Sequence, residues 1–137
     1  MNLPPREHGT YALLLALDAP ASIRAGWLGV FTFPPGSYVY CGSAFGPGGL
    51  RARLERHARA SGALHWHIDY LRRAARLVDW FWTANARAEC RWARALIDAG
   101  GQVIVPHFGS SDCCNRCPSH LLYSPEPVVL SAILEKA

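Results

Sequence analysis

The sequence has a single lysine, no apolar run long enough to cross a bilayer, and no internal repeat or low-complexity stretch. Thirteen of its fourteen basic residues are therefore Arg, the side chain whose planar fork grips phosphate in two places. No apolar stretch approaches the roughly 20 residues of a spanning helix, so no transmembrane segment is expected. The opening segment Met1-Asn2-Leu3-Pro4-Pro5-Arg6-Glu7-His8 lacks a charged stretch followed by an apolar one, which predicts a cytoplasmic protein. In that compartment the five cysteines are expected as reduced thiols or metal ligands.

A chain of 137 residues can build one domain with a real core but not two ordinary ones. We read residues 1–137 as a single domain, with a core over about 9–101 and an extension over about 102–137. Charge is unevenly spread along it. Between Arg51 and Arg94, ten Arg face Glu55, Asp69, Asp79 and Glu89, a local balance of +6 within a net +4, so the rest of the chain sums to −2. A basic block of this kind suits a polyanionic partner, and equally a solvated helix surface.

Gly and Pro punctuation divides the chain. The apolar run Thr10 to Leu17 reads as a buried strand, and Ile23 to Phe33 as a short strand or extended arm. Ser37 to Gly42 reads as a second core strand, and the loop Phe45-Gly46-Pro47-Gly48-Gly49 leads into a helix from about Leu50 to Ala60. A second helix is expected over His67 to Ala75, a third strand over Leu77 to Thr83, and a third helix over Ala86 to Ala99, closed by Gly100-Gly101. The tail reads as a short strand from Gln102, a Cys-rich loop, a short strand near His120 to Tyr123 and a terminal helix. The fold class is α/β (α+β): a three-stranded, mainly antiparallel sheet flanked by helices.

Gly9-Thr10-Tyr11 on the first strand and Tyr40-Cys41-Gly42 on the next, followed by Leu50, Arg53 and His57, form an ordered set of motifs. This set resembles the tripeptides and helix residues of the GIY-YIG nucleases. The segments Phe33-Pro34-Pro35-Gly36, His65-Trp66-His67-Ile68-Asp69-Tyr70 and Ser111-Asp112-Cys113 with Ser119-His120 look like the Uri-type branch, DUF123-like domains among them. The resemblance runs from Gly9 to Tyr123. It implies a Mg²⁺- or Mn²⁺-dependent endonuclease that hydrolyses DNA phosphodiester bonds to a 5′-phosphate and a 3′-hydroxyl. It also implies that Glu89 is the metal ligand. Two departures stand out: Ser43 occupies the position where many relatives carry Lys, and the Asn expected about a dozen residues after the Glu has no counterpart near Gly101-Gln102.

The residues can be weighed as chemistry in their own right. Two strand phenols, Tyr11 and Tyr40, could share one sheet edge, where a metal or a neighbouring cation could lower a phenol pKa from about 10 and let one of them help deprotonate water. Taken singly, each is as readily an ordinary strand aromatic. Gly42 would let backbone approach a phosphate, and Ser43 could donate to one. Arg53 and His57 lie four apart, so a helix puts both on one face, suited to neutralising a phosphoryl oxygen and to orienting water or a Tyr hydroxyl, or shuttling a proton, near neutral pH. A surface Arg beside a partly buried His is the plain alternative. Glu89 is one carboxylate among Arg87, Arg91 and Arg94; it could serve as an ion-pair partner or dipole complement, yet one carboxylate suffices for Mg²⁺. Arg51, Arg56, Arg59, Arg72 and Arg73 are the expected phosphate-docking residues.

Cys113, Cys114, Cys117 and His120 have spacings compatible with zinc, although tetrahedral zinc usually draws on two separated pairs and a compact cluster also fits a buried loop. His65, His67 and Asp69 are read as structural, with contact to DNA as the alternative; Asp69 could cap a helix, pair with Arg72 or Arg73, or shape the substrate groove. Beside the enzyme stands a second hypothesis, a non-catalytic nucleic-acid-binding or zinc-binding module. Such a module would need the Arg face, but not Tyr11, Tyr40, Arg53, His57 and Glu89 as a set.

Overall fold

In a computed structural model the described residues are 1–60, 62–110 and 117–137. Four strands make the main sheet: β1 (Gly9–Leu17), β4 (Gly36–Ala44), β5 (Arg76–Ala84) and β6 (Leu121–Ser124), in the order β5-β1-β4-β6 with every neighbouring pair antiparallel. The sheet is thus one strand wider than the three expected. The fourth strand comes from the tail, whose Leu121–Ser124 pairs with Ser37–Tyr40. Gln102, read as opening a short strand, makes only an isolated bridge to Tyr123.

The extended arm is a separate hairpin of β2 (Ala21–Arg24) and β3 (Val30–Phe33), joined through a 3₁₀ turn at Gly26–Leu28. The helices are α1 (Gly49–Arg59), α2 (His67–Ala74), α3 (Glu89–Asp98) and α4 (Leu130–Leu134). The third helix starts three residues later than expected, because the turn before it is held by Thr10 as described below. Its buried face is Trp92, Ala93 and Leu96, while Cys90 is only half-buried.

Alternation along β1 and β4 splits the core into two layers. Tyr11, Leu13 and Leu15 face the α1–α2 side with Tyr38 and Tyr40, packing on Leu50, Leu54, Ile68 and Leu71. Ala12, Leu14, Val39 and Cys41 face the other side, against Trp92, Ala93, Leu96, Leu130 and Leu134 of α3 and α4. A β1 buried on both faces explains its nearly unbroken apolar run. The last pair between β4 and β6 is Tyr40 with Leu121, so Gly42 to Ala44 extend beyond the fourth strand. At that open edge the two faces of the sheet meet, and the candidate site residues Tyr11, Tyr40, Arg53 and Glu89 collect there.

Among the described residues, no helix is long and apolar enough to cross a membrane.

Candidate active-site cleft

A cleft of ≈ 610 Å³ lies at this edge, lined by Tyr11, Tyr40, Cys41, Gly42, Ser43, Arg53, Trp66, Arg87, Glu89, Cys90, Arg91, Arg94, Gly109 and His120. It therefore gathers Tyr11, Tyr40, Gly42, Ser43, Arg53 and Glu89 from four elements. His57 lies directly behind it, 1% exposed, with a 2.7 Å hydrogen bond between its Nε2 and Tyr11 Oη.

Register explains the pairing of the phenols. Tyr11 sits opposite Gly42, so its ring lies over a position without a side chain. A Cβ on Gly42 would come within 2.5 Å of the Tyr11 ring and hydroxyl and 2.9 Å of the Tyr40 ring. The glycine therefore makes room for two tyrosines whose ring centroids stand 6.3 Å apart. That is a packing requirement, in addition to the approach of phosphate expected from the sequence.

Glu89 belongs to a helix on the opposite side of the sheet from Tyr11, yet it lines the same cleft. The device that achieves this is Thr10, fully buried and one residue before Tyr11. Its Oγ1 donates to Ala86 O (2.8 Å) and accepts from Ala88 N (2.9 Å), pinning the turn that delivers the first residue of α3 to the edge. Consecutive residues of β1 thus serve the two walls. Thr10 was overlooked in the sequence because a strand threonine ordinarily signals only β propensity.

The protein's own charges do not lower the phenols below their ordinary value. Burial raises both phenols well above their ordinary value, and Arg53, the nearby cation, offsets only part of that rise. His57 is pushed down to about 3, first by burial and then by Arg56, Arg53 and Arg72, with Asp69 opposing. Its imidazole is neutral near pH 7, which suits it to holding the Tyr11 hydroxyl and makes it a poor store for a proton.

A stability consequence follows from the sign of that shift. The folded state keeps His57 neutral while the unfolded chain takes up a proton below about pH 6.5, so stability is present above 6.5 and is lost as pH falls toward 3. At pH 5 this amounts to about 2 kcal/mol. Urea unfolding at pH 7 and pH 5 should show the loss, reduced by about that amount in His57→Gln. Burial lowers His120 in the same direction, so some dependence should remain. An undiminished loss in the variant would refute the assignment to His57.

The expected docking arginines lie elsewhere. Arg51 Nε donates to Pro4 O, and Arg56 forms a two-pronged pair with Asp69 at 2.7 and 2.9 Å. Arg72 donates to the carbonyls of His57, Ala58 and Ala75, and Arg73 to that of Gly62. Arg59 is exposed near the end of α1 and does not line the cleft. The cations that do are Arg53, Arg87, Arg91 and Arg94. The guanidinium of Arg53 lies 4.3 Å from the Trp66 ring centroid, that of Arg56 lies 4.2 Å from it, and that of Arg87 lies 3.9 Å from the Phe45 ring centroid. Such stacking fixes a guanidinium while leaving its N–H groups available.

Asp69 is structural, as read, but its partner is Arg56 rather than Arg72 or Arg73. It also accepts from the backbone N–H groups of His65 and Trp66 (2.8 and 2.9 Å). His67 is tied in through Nδ1, which accepts from Gly109 N.

Two metal-binding options are present. Among the described residues, Glu89 is the only carboxylate lining the cleft, and neither ion pair, Arg56–Asp69 or Arg76–Asp18, involves it. Cys90, Cys117 and His120 form a group that could hold a metal ion, their donor atoms all within 4.8 Å of one another. Of the zinc set expected from the sequence, Cys117 and His120 belong to this group, while Cys113 and Cys114 lie outside the described residues. Cys90 was missed because it is 27 residues from Cys117 and reads as part of an apolar helix face.

No curated protein and no solved structure matches the chain. One family model matches residues 10–137, nearly the whole chain, and its description is "Domain of unknown function DUF123". The chain belongs to the DUF123 family, whose function is unknown.

Proposed function

We propose that this protein is a metal-dependent endonuclease of the GIY-YIG superfamily, Uri-type branch, and hydrolyses DNA phosphodiester bonds in the cleft at the β4 edge. The observation that carries this reading is the convergence of Tyr11, Tyr40, Arg53 and Glu89, spread over 79 positions of sequence, on the walls of one arginine-rich cleft. A module that only binds nucleic acid needs the arginines, and nothing in binding requires an unpaired carboxylate placed among them.

Glu89 suits Mg²⁺ or Mn²⁺, because such an ion keeps most of its waters, borrows phosphate oxygens and needs few protein carboxylates. Bound there, the ion would supply Lewis-acid stabilisation of the phosphoryl group. Arg53, held over Trp66, neutralises charge developing on the phosphoryl oxygens. Tyr11 presents its hydroxyl to the attacking water, oriented by neutral His57, and Tyr40 forms the neighbouring wall. Ser43 donates a hydrogen bond to phosphate without adding charge. Water attacks in line, leaving a 5′-phosphate and a 3′-hydroxyl.

The test incubates purified protein with labelled single-stranded, duplex and branched DNA, each with chelator and after restoring Mg²⁺ or Mn²⁺. Cleavage that returns with either ion supports the proposal. Binding of every substrate without cleavage under any of these conditions would favour the module instead.

Docking gives a separate expectation. Arg91 and Arg94 lie three apart on α3 and are exposed, so they share the helix face that meets the backbone. Affinity should fall steeply with salt, and Arg91→Ala with Arg94→Ala should flatten the logarithmic salt slope by about 0.9 per lost duplex phosphate contact. An unchanged slope would move docking to the face bearing Arg51, Arg56, Arg59, Arg72 and Arg73.

A further inference from the structure

We propose that Cys90, Cys117 and His120 bind a zinc ion that clamps the first turn of α3 to the segment entering β6. The site is distinct from the Glu89 site, and the proposal does not rest on the nuclease reading.

The donor set selects the metal. Two thiolates and one imidazole suit a borderline-soft ion such as Zn²⁺ and do not suit Mg²⁺, which takes oxygen ligands. Two thiolates also balance the charge of the dication, so Glu89 is not needed here. The geometry agrees. In a tetrahedral site with Zn–S of about 2.3 Å and Zn–N of about 2.0–2.1 Å, a sulfur and a nitrogen ligand stand about 3.6 Å apart. Cys90 Sγ and His120 Nε2 are 3.7 Å apart, and Cys117 Sγ lies within 4.8 Å of both. Ligands from two well-separated stretches, α3 on one side and Cys117-Pro118-Ser119-His120 on the other, also supply the separation that a compact run of cysteines lacks.

The ligands are held by the fold itself. His120 is fixed through its backbone, with N donating to Phe108 O (2.8 Å) and O accepting from Cys41 N (2.9 Å). Ser119 Oγ accepts from Leu121 N at 3.0 Å and anchors the same turn. Cys117 and His120 are buried, whereas Cys90 and His120 also reach the cleft. Because Cys90 follows Glu89, an ion here would fix the helix turn that presents the carboxylate. Thr10 holds that turn from the β1 side, and zinc would hold it from the β6 side.

The experiment measures metal content of the full chain purified from zinc-supplemented expression, without reference to cleavage. About one zinc per chain is expected. Cys90→Ser and His120→Gln should each weaken zinc binding by at least about 100-fold in competition with a chromophoric chelator, since loss of an outer-shell partner alone costs 10–100-fold. His65→Ala, which removes an exposed imidazole outside the trio, should retain the zinc. If a ligand variant fails to fold, wild-type protein stripped of metal and loaded with Co²⁺ still decides the matter. Thiolate-to-cobalt charge-transfer absorption supports the site, and its absence overturns it. Full zinc retention in folded Cys90→Ser and His120→Gln, or no zinc in the wild-type protein, also overturns it.

Discussion

Replacing Glu89 with alanine is expected to reduce DNA cleavage by at least about 10³-fold while leaving DNA binding nearly unchanged, the scale set by losing several kcal/mol of transition-state stabilisation. Among the described residues, Glu89 is the only carboxylate lining the cleft, and no ion pair occupies it. Removing it takes away a carboxylate suited to a hard divalent ion. The arginines that would hold the DNA backbone remain, so binding survives. The charge change alone would, if anything, tighten binding, which makes loss of cleavage without loss of affinity diagnostic. The variant must first be shown folded by circular dichroism, and its zinc content compared with wild type, because the neighbouring residue is Cys90. A folded Glu89→Ala protein that cleaves at the wild-type rate in Mg²⁺ would place the reaction's metal elsewhere and remove the basis for carrying the family roles onto this chain.

What the sequence made legible was local. Apolar runs and glycine punctuation marked β1, β4, β5 and the first three helices closely, because β1 and β4 are buried nearly throughout and the helices bury one face. The four-residue spacing of Arg53 and His57 correctly put both on α1, but only the packing of two layers shows that one side chain lines the cleft while the other is sealed behind Tyr11. The fourth strand was misjudged because Leu121–Ser124 is short and its partner, β4, lies some 80 positions earlier in the chain. The same long-range pairing ends at Tyr40 and leaves Gly42 to Ala44 open, at the edge where the two tyrosines line the cleft.

Charge misled in an instructive way. Counting Arg between positions 51 and 94 finds a basic block, but not which guanidiniums are spent on carbonyls. Arg51, Arg72 and Arg73 serve loop and helix-end oxygens, whereas Arg87, Arg91 and Arg94 face the cleft. Cys90 and Thr10 escaped notice for a related reason. Each matters through a partner distant in sequence, and neither residue type signals that partner.

Asp69→Ala is expected to destabilise the fold by about 3 kcal/mol, the lower end for breaking a buried ion pair because Arg56 keeps some contact with water. The carboxylate accepts four hydrogen bonds, two from Arg56 and one each from the backbone of His65 and Trp66. Truncation leaves a guanidinium without its counter-charge and two N–H groups without their acceptor. Burial by itself would raise the Asp69 pKa, but Arg56 and the two backbone donors outweigh it and hold the group below its usual value. The stability it confers is therefore present above the ordinary carboxylate pKa near 3.9 and is lost as pH falls through the lower folded value. Function should suffer as well, since Asp69 anchors Trp66, whose ring carries the Arg53 guanidinium on the cleft wall. In urea titrations Asp69→Asn should fall between wild type and Asp69→Ala, because its amide oxygen can still accept from one or both backbone donors while the charge is gone. A loss below about 1 kcal/mol for the alanine variant would mean that water replaces the carboxylate as the partner of Arg56, as it does for exposed pairs. The Trp66 wall would then have to be held chiefly by the stacking of Arg53 and Arg56.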